Sequence, residues 1–276
     1  MSMQAMSEQR VQVNKPRILV TNDDGIASPG LQALYDELRK VGEVIVVAPD
    51  GERSAVGHAI TIAAPLRVWP YEKNGKVFGY AVAGTPADCV KIAFWALMKD
   101  QPKPSLVVSG INLGSNTGIN AIYSGTVSAA TEGAILGVPS FAISLTTYEN
   151  PDYGPAARFA RYLARIVLKR GLPRGVYLNV NVPAVPAEEI RGVSITSQGQ
   201  AVYREQYQMR RDPRGRAYYW LTGAKIDAER DESIDDGAIL HNKISITPIH
   251  YDLTNYAFIE ELKRWNIGWR GGIDGR

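Results

Sequence analysis

The chain has 276 residues, of which 31 are Lys or Arg and 28 are Asp or Glu, so its net charge is +3. This length suits one large α/β domain, or one domain with an appendage, and it is enough to bury a core. The near balance of charge gives no reason to expect a nucleic-acid polymer or a membrane surface as the main partner.

Cys89 is the only cysteine, so no intrachain disulfide can form and a reducing compartment is the simpler interpretation. Residues 1–15 are polar and lack the apolar run of a signal peptide, and we expect them to form a disordered leader. No apolar run of about 18 residues or more occurs, which argues against a transmembrane helix. We therefore expect a cytoplasmic protein.

The first apolar run, Ile18 to Val20, leads into Asn22-Asp23-Asp24-Gly25. Such a run is typical of a buried parallel strand, so both carboxylates should lie at its carboxyl end, the edge where open α/β sheets bind ligands. Adjacent carboxylates repel each other, and a cation beside them would keep both ionised. A hard metal ion is the first hypothesis. A simple turn is the alternative, because Asp and Gly are common in turns.

A helix over residues 29–41 and a strand over 43–49 follow, and together with the first strand they predict a right-handed parallel crossover. The architecture is Rossmann-like, but the Gly-x-Gly-x-x-Gly fingerprint of dinucleotide sites is missing. In the next loop, Ser54 is a candidate contact for a metal or a phosphate. His58 is interpreted as a hydrogen-bonded structural residue.

Residues 60–84 predict short strands or a hairpin, and Thr85 is expected to N-cap a helix with Asp88 as a capping residue. A third buried strand, 104–109, opens into the loop 110–126, which is rich in Gly, Asn, Ser and Thr. Such a loop suits a phosphate, and we expect Thr126 to N-cap a helix over 127–136 whose positive end faces the anion.

The remaining pattern predicts further elements in chain order. These are strand 139–145, helix 153–169, strand 176–182, an aromatic hairpin over 200–224, an acidic loop over 227–236, strand 243–248, and a last helix capped by Thr254. We interpret the aromatic hairpin arms as a subunit contact rather than a nucleic-acid surface, because the charge is balanced.

The first three clear strands each deliver polar side chains to one sheet edge. They bring Asp23 and Asp24, then Ser54, then Asn112. Four oxygen ligands without histidine or thiolate favour Mg²⁺ or Mn²⁺, with Ca²⁺ as an alternative.

Four ordered motifs resemble the SurE family of 5′/3′-nucleotidases. They are Thr21-Asn22-Asp23-Asp24-Gly25, the Ala48-Pro49 to Ser54 loop, Gly84-Thr85-Pro86-Ala87-Asp88, and Ser109-Gly110-Ile111-Asn112 through Tyr123-Ser124-Gly125-Thr126. The resemblance runs from about residue 17 to Ser245-Ile246-Thr247-Pro248. It implies that Asp23, Asp24, Ser54 and Asn112 hold one divalent metal, and that Asn116, Ser124, Gly125 and Thr126 line the phosphate site. Ala55 departs from the glycine that many members have after the loop serine.

The resemblance also implies the organisation of the chain. We expect an α/β fold with a Rossmann-like three-layer α/β/α core over residues 16–199 and a mostly parallel sheet. Residues 200–276 would add a protruding β-hairpin and a C-terminal segment for homodimer or homotetramer contacts.

The function expected is metal-dependent hydrolysis of nucleoside 5′- and 3′-monophosphates, with short polyphosphate as a further candidate substrate. Asp23, Asp24 and Asn112 are the expected catalytic residues. Two alternatives stay open. One is a haloacid-dehalogenase-type phosphatase with an aspartate nucleophile, although such enzymes have Asp-x-Asp after the first strand, where this chain has adjacent aspartates. The other is a non-catalytic metal- and nucleotide-binding sensory module.

Overall fold

The computed structural model describes residues 15–200, 202–226 and 230–268. Its strands are β1 (Arg17–Thr21), β2 (Glu43–Pro49), β3 (Val68–Lys73), β4 (Lys76–Val82), β5 (Leu106–Leu113), β6 (Ser140–Leu145), β7 (Val176–Val182), β8 (Val193–Ile195), β9 (Val202–Arg211), β10 (Ala217–Ile226) and β11 (Ile244–His250). Its α-helices are α1 (Pro29–Leu38), α2 (Pro86–Ile92), α3 (Asn120–Tyr123), α4 (Gly125–Ile135), α5 (Gly154–Arg170), α6 (Asp235–Leu240) and α7 (Tyr256–Arg264). A π-helical segment, Ala93–Leu97, continues α2, and a 3-10 turn spans Ala187–Glu189.

Nine strands form one mostly parallel sheet in the order β3-β4-β2-β1-β5-β6-β7-β11-β8. The chain leaves β1 toward β2 on one side, and β5, β6 and β7 extend the sheet on the other side. The strand order therefore reverses beside β1, which is the switch point where doubly wound sheets bind ligands. The sequence-predicted carboxylates follow β1 at this point.

The side chains of β1 alternate between the two faces of the sheet, as a strand requires. Ile18 and Val20 pack with the buried residues of α1 and α5, whereas Leu19 packs with those of α2 and α4. Helices thus cover both faces, which confirms the expected three-layer α/β/α core.

Two antiparallel additions complete the sheet. The β3–β4 hairpin forms one edge, and β11 pairs antiparallel with β7 and parallel with the short strand β8. The sheet therefore continues past residue 199, because β11 inserts between β7 and β8. The predicted hairpin over 200–224 is present as β9 and β10, which form a separate two-stranded sheet.

Several local predictions need correction. Ser124, not Thr126, is the N-cap of α4, and its Oγ accepts a hydrogen bond from the Val127 amide. Asn255, not Thr254, caps α7. The acidic segment predicted as a loop contains the start of α6, and the loop after β5 contains the short helix α3.

Other predictions are confirmed. Thr85 and Asp88 form a capping box at α2, and Cys89 is a buried core residue. No helix in the described ranges is both long and apolar enough to cross a membrane. Apart from Lys15, the predicted leader lies outside the described residues.

Candidate active site

Asp23 and Asp24 follow β1 directly and face different surroundings. Asp23 is only 5% exposed and accepts hydrogen bonds from the hydroxyl and the backbone amide of Thr126. Burial raises the pKa of the Asp23 carboxyl in spite of these bonds. Burial, and then the negative charge of Asp23, raise the pKa of Asp24 to about 7. The pair is therefore costly to ionise fully unless positive charge is supplied.

The N-terminus of α4 packs directly against Asp23. A Cβ at Gly125 would lie 2.9 Å from the Asp23 Cβ and 3.0 Å from its Oδ2, so only glycine allows this approach. Because the first backbone amides of a helix are unpaired and carry partial positive charge, they stabilise a nearby anion. Here that anion is the Asp23 carboxylate, and Thr126 is the residue that holds it.

Ser54 lies in an exposed loop that has one hydrogen bond within itself and another to the segment at Tyr123. Its Oγ donates to Glu52 Oε1 at 2.6 Å, and the nearby Gly57 amide donates to Tyr123 O at 2.9 Å. Further along, His58 Nε2 lies 2.9 Å from Glu132 Oε2, which confirms the structural interpretation of this histidine. Burial alone would raise the pKa of Glu132, but hydrogen bonds from His58 and Lys91 lower it below its ordinary value.

Asn112 lies near the end of β5, beside β1. Its amide nitrogen donates to Gly114 O at 2.7 Å, so Oδ1 is the atom suited to coordinate a cation. The Leu113 amide donates to Asp24, which links the loop after β1 to the end of β5. A Cβ at Gly110 would lie 2.3 Å from Ile143 O, so the strand can run this close to β6 only with glycine there.

Asn116 is buried and held by three polar residues of the neighbouring strands. Its side-chain nitrogen donates to Ser144 Oγ at 2.8 Å, and its backbone amide donates to Asn181 Oδ1 at 2.8 Å. Its carbonyl oxygen accepts from Asn179 Nδ2 at 2.7 Å and from Asn181 Nδ2 at 3.2 Å. The loop after β5 is therefore fixed to β6 and β7.

A pocket of about 750 Å³ opens at this edge of the sheet. The predicted site residues that line it are Asp23, Ser54, Asn112, Asn116 and Ser124. Gly125 and Thr126 lie behind Asp23, and Asp24 accepts a hydrogen bond from the amide of Leu113, a residue of the pocket wall. The structure thus brings all the predicted residues to one place but puts only five of them on the pocket wall.

Asp235 is a residue of this region that the sequence did not predict. It is 1% exposed, and its Oδ2 accepts the Gly118 amide at 2.8 Å. Its Oδ1 accepts the amides of Gly199 and Asp236, each at 2.9 Å. Gln198 Nε2 also donates to Gly118 O at 2.9 Å, so the amide and the carbonyl oxygen of Gly118 are both hydrogen-bonded to side chains. An acid just before the apolar run Ala238-Ile239-Leu240 is the only sequence signal of this role.

The residues present fit a hard divalent ion. Two carboxylates, a hydroxyl and an amide oxygen are the donor types that Mg²⁺, Mn²⁺ and Ca²⁺ accept. The raised pKa of both aspartates is the expected state of such a donor set without a cation. Among the described residues no group of three or more His, Cys, Asp or Glu side chains could hold a metal. The fit therefore depends on Ser54 and Asn112 as well as the two acids.

The fold and the site define a doubly wound α/β protein with an acidic, oxygen-lined pocket at the switch point of its sheet. The family model described as survival protein SurE matches residues 18–205. The chain belongs to the SurE family.

Individual relatives agree with this assignment. The chain is 53% identical to a protein named 5'-nucleotidase SurE from Syntrophobacter fumaroxidans, over 91% of this chain and 100% of the relative. It is 55% identical to the protein of the same name from Syntrophus aciditrophicus, over 90% and 92%. The crystal structure of the SurE protein from Aquifex aeolicus superposes with a TM-score of 0.80 at 41% identity, over 91% of this chain and all of that one.

Proposed function

We propose that this chain is a divalent-metal-dependent phosphomonoesterase that hydrolyses nucleoside 5′- and 3′-monophosphates to a nucleoside and phosphate. The observation that carries the proposal is that Asp23, which lines the pocket, lies against the N-terminus of α4. It places a carboxylate beside a helix end that favours anions. The relatives named 5'-nucleotidase SurE support the same activity.

The proposed metal ligands are Asp23, Asp24, Ser54 and Asn112, with Mg²⁺ or Mn²⁺ as the ion and Ca²⁺ as the alternative. When bound, the ion would neutralise phosphate charge and increase the acidity of water near it. Ser54 and Asn112 each donate a hydrogen bond to a neighbour, and their side-chain oxygens keep lone pairs that can coordinate an ion. We assign one of the two aspartates the further role of orienting the attacking water or accepting its proton.

The proposed phosphate contacts are Asn116, Ser124, Gly125 and Thr126. Ser124 lines the pocket, and its hydroxyl can donate to a phosphate oxygen while accepting from Val127. The amides at the start of α4 would stabilise the charge that develops on those oxygens in the transition state. Thr126 bonds to Asp23 in this structure, so its first role is to orient that carboxylate.

We further propose a homodimer or homotetramer and a cytoplasmic location, as the sequence suggested, with short polyphosphate as a further substrate. The region 200–276 would supply the subunit contacts. These proposals are separate from the activity, and sedimentation and a substrate panel test them.

The activity is tested by phosphate release from a panel of 5′- and 3′-nucleoside monophosphates with Mg²⁺ or Mn²⁺, and again after EDTA. The same panel is run on Asp23→Asn, which keeps the side-chain size and removes the charge. We expect metal-dependent release that the substitution abolishes.

Three results would contradict the proposal. Full metal-dependent activity in Asp23→Asn would show that the Asp23 carboxylate is not required for hydrolysis. Tight nucleotide binding without release under any metal would favour the sensory module. A phosphoenzyme trapped after rapid quenching would favour an aspartate nucleophile.

A further inference from the structure

The inner end of the β9–β10 hairpin forms part of the pocket wall. Glu205 on β9 and the segment 221–223 on β10 line the same pocket as Asp23 and Ser124. In the antiparallel register Glu205 pairs with Gly223, and Tyr207 pairs with Leu221. Paired residues, and residues two apart, share a face of a sheet. One face of the hairpin therefore turns Glu205 and Leu221 toward the pocket.

The pocket is also too large for phosphate alone. Its volume of about 750 Å³ lies in the range of ~300–1,000 Å³ that is typical of sites for whole drug-sized ligands. Beyond the polar residues at the sheet edge, its lining includes Ile119, Tyr123, Tyr148 and Leu221. Tyr148 is 70% exposed and Tyr123 is 57% exposed, so large apolar surfaces face the pocket region without being buried by the protein.

The position of each group restricts what it can bind. The Tyr148 ring packs over Gly114, where a Cβ would lie 2.5 Å from the ring. The ring can therefore take this position only with glycine at residue 114. A Cβ at Gly223 would lie 2.5 Å from Arg204 O, so the position that pairs with Glu205 carries no side chain.

We propose that Glu205, Leu221, Tyr123 and Tyr148 form a subsite for the nucleoside part of the substrate, an inference that rests on the proposed function. Aromatic rings offer flat surfaces on which any base can stack. A carboxylate only accepts hydrogen bonds and repels phosphate, so Glu205 suits the uncharged part of the ligand that carries donors. In a nucleotide those donors are the ribose hydroxyls and the N–H groups of the base.

The test compares kcat/KM for AMP, ribose 5-phosphate and glycerol phosphate at saturating metal. The variants are Glu205→Gln and Tyr148→Leu, which keeps bulk over Gly114 but removes the ring. Their controls are Asp212→Asn, an acid at the hairpin tip, and Tyr219→Leu, an exposed hairpin tyrosine that does not line the pocket.

We expect both variants to lower the ratio of kcat/KM for AMP to that for glycerol phosphate by about fivefold or more, mainly through KM. Both controls should keep the wild-type ratio. If Glu205→Gln also lowers kcat/KM for ribose 5-phosphate relative to glycerol phosphate, the carboxylate binds ribose. If that ratio is unchanged, it binds the base. Either result supports the subsite.

Two outcomes would overturn the inference while the proposed function stands. One is a wild-type ratio in both variants. The other is an equal loss with all three substrates, which would place Glu205 at the metal and phosphate. Failure of the proposed function is different and is seen before any variant is compared, because wild type would then release no phosphate from AMP, and both proposals would fail.

Discussion

Two regions of the same pocket are built in opposite ways. At the sheet edge, Asp23, Asn116 and Ser124 are buried and bonded to other protein groups. On the hairpin, Glu205 and Leu221 are exposed and belong to a two-stranded sheet apart from the main one. Fixed groups suit reaction chemistry, which needs donors oriented in advance, whereas exposed side chains can adjust to a ligand. The comparison predicts that changes at the sheet edge act on kcat and changes on the hairpin act on KM.

Apart from the change of Asp23 itself, the largest effect is expected for Gly125→Ala. The added Cβ would lie 2.9 Å from the Asp23 Cβ, so either α4 or the carboxylate must shift. We expect kcat to fall by about 100-fold, the cost of a displacement near 1 Å. The free energy of unfolding should fall by about 1–3 kcal/mol. Steady-state kinetics and urea unfolding measure both. Gly51→Ala is the control, because a Cβ there meets nothing within 4 Å. Wild-type kcat in Gly125→Ala would contradict the fixed packing of this edge.

A smaller loss is expected for Asp235→Asn. One oxygen can still accept from Gly199 and Asp236, but the new amide nitrogen would face the Gly118 amide, donor against donor. A buried donor without an acceptor costs about 1–3 kcal/mol. We expect kcat/KM to fall with kcat carrying most of the change, since the loop with Asn116 loses one of its anchors.

Asp231→Asn is the matched control for this variant. Asp231 also accepts a backbone amide, that of Ser233 at 2.8 Å, but it is solvent-accessible and does not contact Gly118. If both variants lose equal activity, the effect is a general loosening of the segment before α6 rather than a role for Asp235.

The third prediction concerns pH and metal. The folded, metal-free chain holds a proton on Asp24 up to about pH 7, whereas the ordinary pKa is 3.8. Between these values the folded state binds more protons than the unfolded state, so its stability is complete below the lower value and is lost as pH rises through the upper one. The slope for one such group is at most about 1.4 kcal/mol per pH unit.

Urea unfolding in EDTA across this range measures the slope. Asp24→Asn should reduce it, and saturating Mg²⁺ should reduce it in wild type, because the cation favours the ionised carboxylates. An equal slope in all three samples would contradict the prediction, because neither Asp24 nor the metal would then control the pH dependence of stability. This readout does not depend on activity.

The smallest effect is expected for Trp220→Ser on the hairpin. Trp220 is exposed and lies next to Leu221, on the opposite face of β10. We expect the free energy of unfolding to change by no more than about 0.5 kcal/mol and kcat to stay at its wild-type value. A lower sedimentation coefficient would support the proposed subunit contact. A large loss of kcat would contradict the division of the pocket into two regions.

The sequence predicted most of the sheet because its buried strands are short apolar runs and their helices have clear apolar stripes. It also placed Asp23, Asp24, Ser54 and Asn112 at one edge, since parallel strands end together. Ser124 and Thr126 could each have capped α4. The choice depends on Asp23, whose bond to Thr126 spans 103 residues, and no local pattern contains that information.

Long-range polar contacts explain the other misses. Asn179 and Asn181 alternate in the buried strand β7, a pattern that signals a polar contact on one face without naming the partner. Their partner, Asn116, is more than 60 residues away. The hairpin was predicted from its turn and aromatic arms. Its contribution of Glu205 and Leu221 to the pocket wall depends on where the hairpin lies against the main sheet, which composition does not specify.

The anchoring of Gly118 by Asp235 also has a consequence for protein synthesis. The two residues are 117 positions apart, so at about 5–20 residues per second a ribosome needs roughly 6–23 s to pass from one to the other. During that interval the nascent chain already contains Asp23, Asp24 and Asn112, but not the carboxylate that fixes Gly118. The edge of β7 is also uncovered, because β11 is made later still. The pocket is therefore completed late in translation, although Asp23 and Asp24 are made long before Asp235.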